Sequence, residues 1–342
     1  MAEKFSSTSL SYLDNIKKHL EFIFALCSAL AYTISDMIAY DLGGIFHPFL
    51  ISAWLSFGMI IVCIASILLL RPTFPPTKTF NSAILVTLNA HLSVFSVLCV
   101  ISANIYSNPG DATAISYVST IFTAVLGVIV LRDPCRISDA IFVPLSFAGV
   151  FVIARPEFLF HNEELAHDNE RTYLLGVILA LCVAGAEACV LVLYSLIASH
   201  ELHPLFLVLS SGLLGVTVNT LLCFLFNVWR FPSSFLQYFK LALLGLSWSC
   251  GILLAFLAVK EGRPTRVAIL MTSHPVFVYI GQYIFFDIYV HWLGYIGAIC
   301  IIIACIGTGM LKQETPINDE LQDESKVRTE EEARILLHEK DG

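Results

Sequence analysis

Glu187 sits inside an apolar stretch, flanked by Gly185, Ala186 and Ala188. A carboxylate in such a place cannot face hydrocarbon cheaply; it needs a partner, a water-filled space or a proton. Two readings follow. It meets a solute or a proton in transit, or it is a protonated glutamate hydrogen-bonded between helices. His274 raises the same question beside Pro275, whose ring removes a backbone hydrogen bond and bends a helix, freeing a carbonyl near the imidazole. It either lines a pore or is a buried structural histidine. Asp36 lies nearer the end of its stretch, where it lines a cavity mouth or simply reaches the interface. Asn89, His91, Asn219, Ser116 and Tyr117 complete the polar groups inside apolar runs. Ser116 and Tyr117 have the chemistry to hydrogen-bond a solute, with packing the plainer role for Tyr117.

The elements that must position these groups are read from hydropathy. From Ala112 to Leu131 no residue is charged. Twenty apolar residues at about 1.5 Å each span about 30 Å, the thickness of a bilayer core. Asp111 precedes this run, where it caps free N–H groups and faces the positive end of the helix dipole. Arg132, Asp133 and Arg136 mark a polar turn after it, with Arg132 and Asp133 expected to pair. Ten such spans are expected: His19–Tyr40, Pro48–Leu70, Ser82–Tyr106, Asp111–Leu131, Ser138–Ala154, Tyr173–Ile197, Pro204–Phe226, Phe239–Val259, Pro264–Phe286 and Trp292–Leu311. The first has a basic flank and an apolar core like a signal peptide, but it runs on well past Ala29-Leu30-Ala31 and reads as a retained helix.

Composition agrees. The 342 residues are 57% hydrophobic and 13% charged, against about 25% charged in soluble chains. The net charge of −8 comes from acids crowded at the ends and after Arg155, so it carries no nucleic-acid signal. Of ten cysteines only Cys135 falls in a turn and none forms a CxxC pair, so no disulfide framework is expected. No Walker loop, nucleophile elbow, haem site or zinc-spaced ligand set is found, so no cofactor, metal or enzymatic activity is expected. Tyr289 and Trp292 read as interfacial aromatics.

The halves repeat. Ala25–Ala29 matches Ala180–Ala184, His47-Pro48 matches His203-Pro204, and Thr120-Ile121-Phe122 aligns with Pro275-Val276-Phe277, at offsets of 155, 156 and 155 residues. Five spans per repeat is an odd number, so the second repeat enters the membrane from the opposite side, the inverted arrangement of secondary transporters. Orientation follows from Lys and Arg in the connections. With a cytosolic N-terminus that side holds Lys4, Lys17, Lys18, Arg71, Lys78, Arg132, Arg136, Lys260, Arg263, Arg266 and Lys312, eleven in all. The other side holds four, Arg155, Arg171, Arg230 and Lys240, so both termini are expected in the cytosol. In the charged tail, Glu332, Leu336 and Leu337 fit an acidic dileucine sorting pattern read by a cytosolic adaptor; a partner-binding or surface-lying helix is the alternative.

These residues also carry a resemblance. Asp111-Ala-Thr-Ala-Ile115 opening a span, Leu131-Arg-Asp133 closing it, Ala148-Gly149-Val150 in the next and Arg155–Phe160 after it resemble the EamA half-domain of the drug/metabolite transporter superfamily. The Arg155–Phe160 ending is most similar to the G branch of solute carrier family 35. Two positions depart from the family pattern: Thr120 stands where a proline is usual, and Asp133 where a glutamate is. The resemblance implies an all-α, polytopic membrane protein of ten transmembrane helices in two inverted five-helix repeats. It divides into a cytosolic segment 1–18, a first repeat 19–154, a linker 155–172, a second repeat 173–311 and a cytosolic tail 312–342. It further implies alternating-access movement of a small organic solute (a metabolite, organic anion or nucleotide-sugar-like compound), driven by a gradient or exchange. The absence of Lys or Arg near mid-membrane argues against a highly charged anion, unless the histidines in the spans are protonated. A non-transporting adaptor acting through the tail is the alternative. Plasma membrane and endomembranes both suit the chain, and a homodimer is compatible with it.

Overall fold

Histidine–proline pairs set two of the helix starts. Pro48 opens one helix where its missing N–H costs nothing, and the His47 imidazole Nδ1 accepts from the Phe49 N–H at 3.3 Å. His203 does the same for the Leu205 N–H at 3.3 Å. The helices begun there stop alike: Arg71 (φ 43°) and Asn227 (φ 54°), 156 residues apart, both adopt the left-handed conformation that ends a helix.

The computed structural model describes residues 2–71, 80–107, 109–132, 137–154, 170–200, 202–286 and 292–310. These form helices α1 (Ala2–Gly43), α2 (Pro48–Leu70), α3 (Phe80–Tyr106), α4 (Pro109–Ser116), α5 (Ser119–Val130), α6 (Ile137–Ala154), α7 (Glu170–Ser199), α8 (Leu205–Leu225), α9 (Phe235–Glu261), α10 (Pro264–Met271), α11 (Ser273–Phe286) and α12 (Trp292–Met310). Among the described residues there is no strand. The turn residues Asp133 and Cys135, the proposed partner of Arg132 among them, lie outside the described residues. So do Tyr289, the Arg155–Phe160 segment, the tail with Glu332, Leu336 and Leu337, and the side chain of Asp111.

Among the described residues, eight segments are long and apolar enough to cross a bilayer: Leu20–Gly43, Pro48–Leu69, Ser82–Tyr106, Ala112–Val130, Arg171–Ser199, Leu205–Leu225, Phe235–Glu261 and Pro264–Phe286. Two shorter apolar helices, Ile137–Val152 and Trp292–Thr308, accompany them. The outward surface carries Leu69, Ile129, Leu221, Ile284 and Phe285, while the interior buries Ser, Thr, Asn and Asp side chains. That inversion of the soluble pattern is what lipid as solvent demands. The chain is a multi-pass membrane protein.

Two expected spans are not continuous helices. The fourth breaks at Tyr117–Val118 into α4 and α5, and the ninth breaks at Thr272 into α10 and α11. In the second break Pro275 has no N–H to offer the preceding turn. The first contains no proline; its turn is carried by short-range bonds such as Val118 N–H to Ile115 O (3.1 Å) and Thr120 N–H to Tyr117 O (3.0 Å). Tyr117 and Thr272 are 155 residues apart, so both breaks fall in the repeat register read from sequence. Helix α1 also begins earlier than expected, at Ala2, continuing the polar N-terminal segment as helix backbone.

The halves interlock. The most extensive contacts are α1 with α9, α3 with α7, α2 with α8, and α6 with α12, each joining a helix before residue 155 to one after 169. Glycines permit the closest approaches. A Cβ on Gly58 would stand 2.7 Å from Gly245 Cα, so α2 and α9 touch backbone to backbone. On α8, a Cβ on Gly215 would run into the Ser56 hydroxyl of α2. Near one end of α9, Lys240 pairs with Asp41 of α1 at 2.5 Å; just past its other end, Arg263 pairs with Asp139 of α6 at 3.1 Å. The 23 residues between Lys240 and Arg263 put the two pairs about 35 Å apart along the bundle.

Candidate functional site

Six of the helix spans meet around two adjoining cavities of about 60 Å³ and about 30 Å³. Each is roomy and polar enough for water. Tyr32, Tyr117, Glu187, Trp248 and Met271 line both. Ser93, Ser96, Ser119 and Tyr194 extend the larger; Asp36, Thr113, Ser116 and His274 extend the smaller.

The side chains reach this place for local reasons. Glu187 lies midway along α7, among small residues that let α3 and α5 approach. Its Oε1 accepts from the Ser96 hydroxyl of α3 at 3.4 Å, and the residue is only part-buried because it faces the cavities. Among the described residues it forms no ion pair. Tyr32 and Asp36 are one helical turn apart on α1, so they share a face. Asp36 is buried: Asn104 of α3 donates to its Oδ1 at 3.1 Å, and His274 Nε2 of α11 lies 3.3 Å from its Oδ2. The second contact is close in distance but misaligned for a hydrogen bond. His274 stands directly after the Thr272 break, its ring 5.8 Å from Tyr117 and 6.2 Å from Tyr32. Tyr32 in turn packs edge-on against Trp248 of α9 at 4.9 Å.

Of the residues singled out in the sequence, Glu187, His274, Asp36, Ser116 and Tyr117 come together here. Asp36 is deeper than its position along the span suggested, sealed against Asn104 and His274 rather than reaching an interface. Ser116 faces inward but spends its hydroxyl on Ala112 O (2.8 Å) and Ala180 O (3.4 Å). His91 points outward, with Nδ1 2.8 Å from Thr87 O of its own helix. Asn89 and Asn219 are fully buried and line neither cavity. Tyr32, Asn104, Ser96, Tyr194 and Trp248 were not singled out. The repeat register would have found Tyr32, because it stands 155 residues before Glu187.

The register organises the whole lining. Ser93 and Trp248, Val97 and Ile252, Val100 and Ala255, and Ser119 and His274 are each 155 residues apart, and every one of them lines a cavity. Among the described residues no group of three or more His, Cys, Asp or Glu is placed to hold a metal ion. Among the described residues no lysine or arginine lines either cavity. The arrangement can therefore bind through one accessible carboxylate, a shielded carboxylate–imidazole contact, hydroxyls and aromatic rings.

Comparison with known proteins gives a consistent picture. The EamA-like transporter family matches residues 19–155 and 174–310, two segments offset by the same 155 residues. Solute carrier family 35 member G1 of Homo sapiens is 25% identical over 291 residues, covering 83% of this chain and 79% of that protein. The Mus musculus protein of the same name is 24% identical over 289 residues, covering 84% and 77%. A solved crystal structure, described only as that of a protein, matches the fold with a TM-score of 0.68 at 15% identity, covering 86% of this chain and 98% of the other.

Proposed function

Because the chain belongs to the EamA-like transporter family, we propose that it moves a small organic solute across a membrane by alternating access, with the solute held at the centre formed by Glu187, His274 and Asp36. One observation carries this reading. An accessible carboxylate and two helix breaks in matching register converge on a water-sized space between interlocked halves. Helices interrupted at corresponding positions of two repeats are where such carriers bind their solutes.

In this reading the two segments are inverted five-helix repeats, 19–154 and 173–311, giving ten spans, with a linker 155–172, segments 1–18 and 312–342 and both termini in the cytosol. Spans four and nine are the broken helices α4–α5 and α10–α11. Glu187 takes up and releases a proton, or meets the polar part of the solute, as the halves rock. His274 and Tyr117, at the two breaks, move with them. Transport is driven by a gradient or by exchange, and no enzymatic step is assigned.

The test is an untargeted flux screen on the full chain in liposomes, with and without a proton gradient. The expected result is saturable movement of a solute that depends on pH in the parent. Glu187→Gln keeps the shape and removes the titration, so its flux loses the pH dependence or disappears. A Glu187→Gln protein that transports like the parent at every pH would falsify the site.

A further inference from the structure

We infer that the solute class is a small organic cation, an amine in its ammonium form from primary to quaternary, held by Glu187 and by the rings of Tyr32, Tyr117 and Trp248. This rests on the transporter reading and sharpens it. Two carboxylates border the space, and they differ in how far each is shielded. Asp36 is the more buried, 2% exposed, with Asn104 donating to Oδ1 and the His274 ring 3.3 Å from Oδ2. Glu187 has, among the described residues, only the Ser96 hydroxyl as a hydrogen-bond partner, at the long limit, and borders both cavities. A carboxylate offers about four acceptor positions, so most of those on Glu187 stay available to a donor in the cavity.

The rest of the lining suits the same charge. No lysine or arginine lines the space, so an anion would enter against carboxylates with only His274 to offset them. Four aromatic residues, Tyr32, Tyr117, Tyr194 and Trp248, line the larger cavity. Ring faces attract a cation within about 6 Å of the centroid, and more strongly when water is excluded. The register adds the geometry: where the second segment carries Glu187, the first carries Tyr32. An ammonium group between them has a carboxylate on one side and an aromatic ring on the other. The cavities are small in this state, which fits a compact head group rather than a bulky charged one.

The experiment is counterflow in liposomes carrying the full chain, with radiolabelled ethanolamine and choline as cationic probes and succinate and glycerol as anionic and neutral ones. Ethanolamine, choline or both are expected to accumulate several-fold above protein-free vesicles, and succinate and glycerol are not. Glu187→Gln should cut cation counterflow at least tenfold while its thermal unfolding stays close to that of the parent. Trp248→Leu should raise the half-saturating cation concentration about 5- to 30-fold, the range of a desolvated cation–π contact, and Trp248→Phe should recover most of that loss. Glu187-dependent counterflow of succinate or glycerol, with both cations inert, would overturn the cation assignment and leave the transporter reading standing. No counterflow of any probe, together with no binding of either cation to the solubilised protein, would sink the assignment outright. If the flux screen also finds no moving solute, the transporter reading falls with it.

Discussion

Tyr32 and Glu187 occupy the same position of the two matched segments, 155 residues apart, and both line both cavities. Two copies of one helical unit thus place an aromatic ring and a carboxylate at equivalent points around a shared space. The break residues Tyr117 and Thr272 obey the same offset. A duplicated scaffold has kept its geometry while the side chains at the centre diverged into complementary chemistry.

The Asp36–His274 contact should show as thermodynamic coupling. Removing one partner of a buried polar contact costs more than replacing both, because the survivor is left uncompensated. His274→Ala alone is expected to be less stable than the Asp36→Asn, His274→Ala double variant, by about 1–3 kcal/mol. The buried thiols of Cys63, Cys99, Cys223 and Cys305 make a thiol-reactive dye a direct reporter of unfolding. Equal or additive destabilisation would mean the two side chains are merely adjacent.

The two histidine caps should make stability fall in mild acid. Burial holds His47 below the ordinary histidine range, and burial with the nearby Lys260 does the same for His203. Each neutral ring accepts a backbone N–H through Nδ1, a bond the protonated ring cannot accept there. A folded-state pKa below the unfolded value contributes stability that is full above the unfolded value, near 6.5, and is lost as pH falls through the folded one. Lowering pH from roughly 7.5 to 5 should therefore weaken both caps, each by a fraction of the roughly 1 kcal/mol that a capping side chain contributes. His47→Asn with His203→Asn keeps a capping side chain and should flatten this part of the pH profile.

Glycine substitutions should separate contact from composition. Gly58→Ala puts a methyl group 2.7 Å from Gly245 Cα, and forcing α2 from α9 should cost about 1–3 kcal/mol. Gly185→Ala meets nothing within 4 Å and should stabilise α7 by roughly 0.5–1 kcal/mol through reduced backbone freedom. Thermal unfolding of the two variants should move in opposite directions; movement in the same direction would refute the close-contact account.

Orientation is tested by access. Tags at Met1 and Gly342 should be reachable only from the cytosol, and a tag between His161 and Asn169 only from the other side. Labelling of either terminus on intact cells would overturn the eleven-to-four charge argument.

The spans and their register were legible because lipid imposes length and apolarity on every crossing segment, and because duplication copied small-residue and His-Pro landmarks. Glu187 and His274 stood out for the same reason, as costly groups in apolar surroundings. Facing was not legible. The third span holds Asn89, His91 and Asn104, yet only Asn104 reaches the centre, while His91 turns outward. Polar type alone does not say which side of an apolar helix meets protein. Tyr32 and Trp248 carry no signal in the sequence taken alone, and their place at the centre shows only from what stands opposite. Pro275 announced the second break, whereas the first, at Tyr117–Val118, has no proline to mark it.

The ion pairs at the two ends of α9 differ in their access to solvent. Lys240 and Asp41 are 33% and 38% exposed, Arg263 and Asp139 only 18% and 6%. Dissolved ions screen exposed charges over about 8 Å at physiological strength and reach shielded ones far less. The latch at one end is therefore loosened by the bathing solution and the latch at the other is not. The hold of α1 on α9 is thus sensitive to ionic strength, while the Arg263 pair with α6 is far less so.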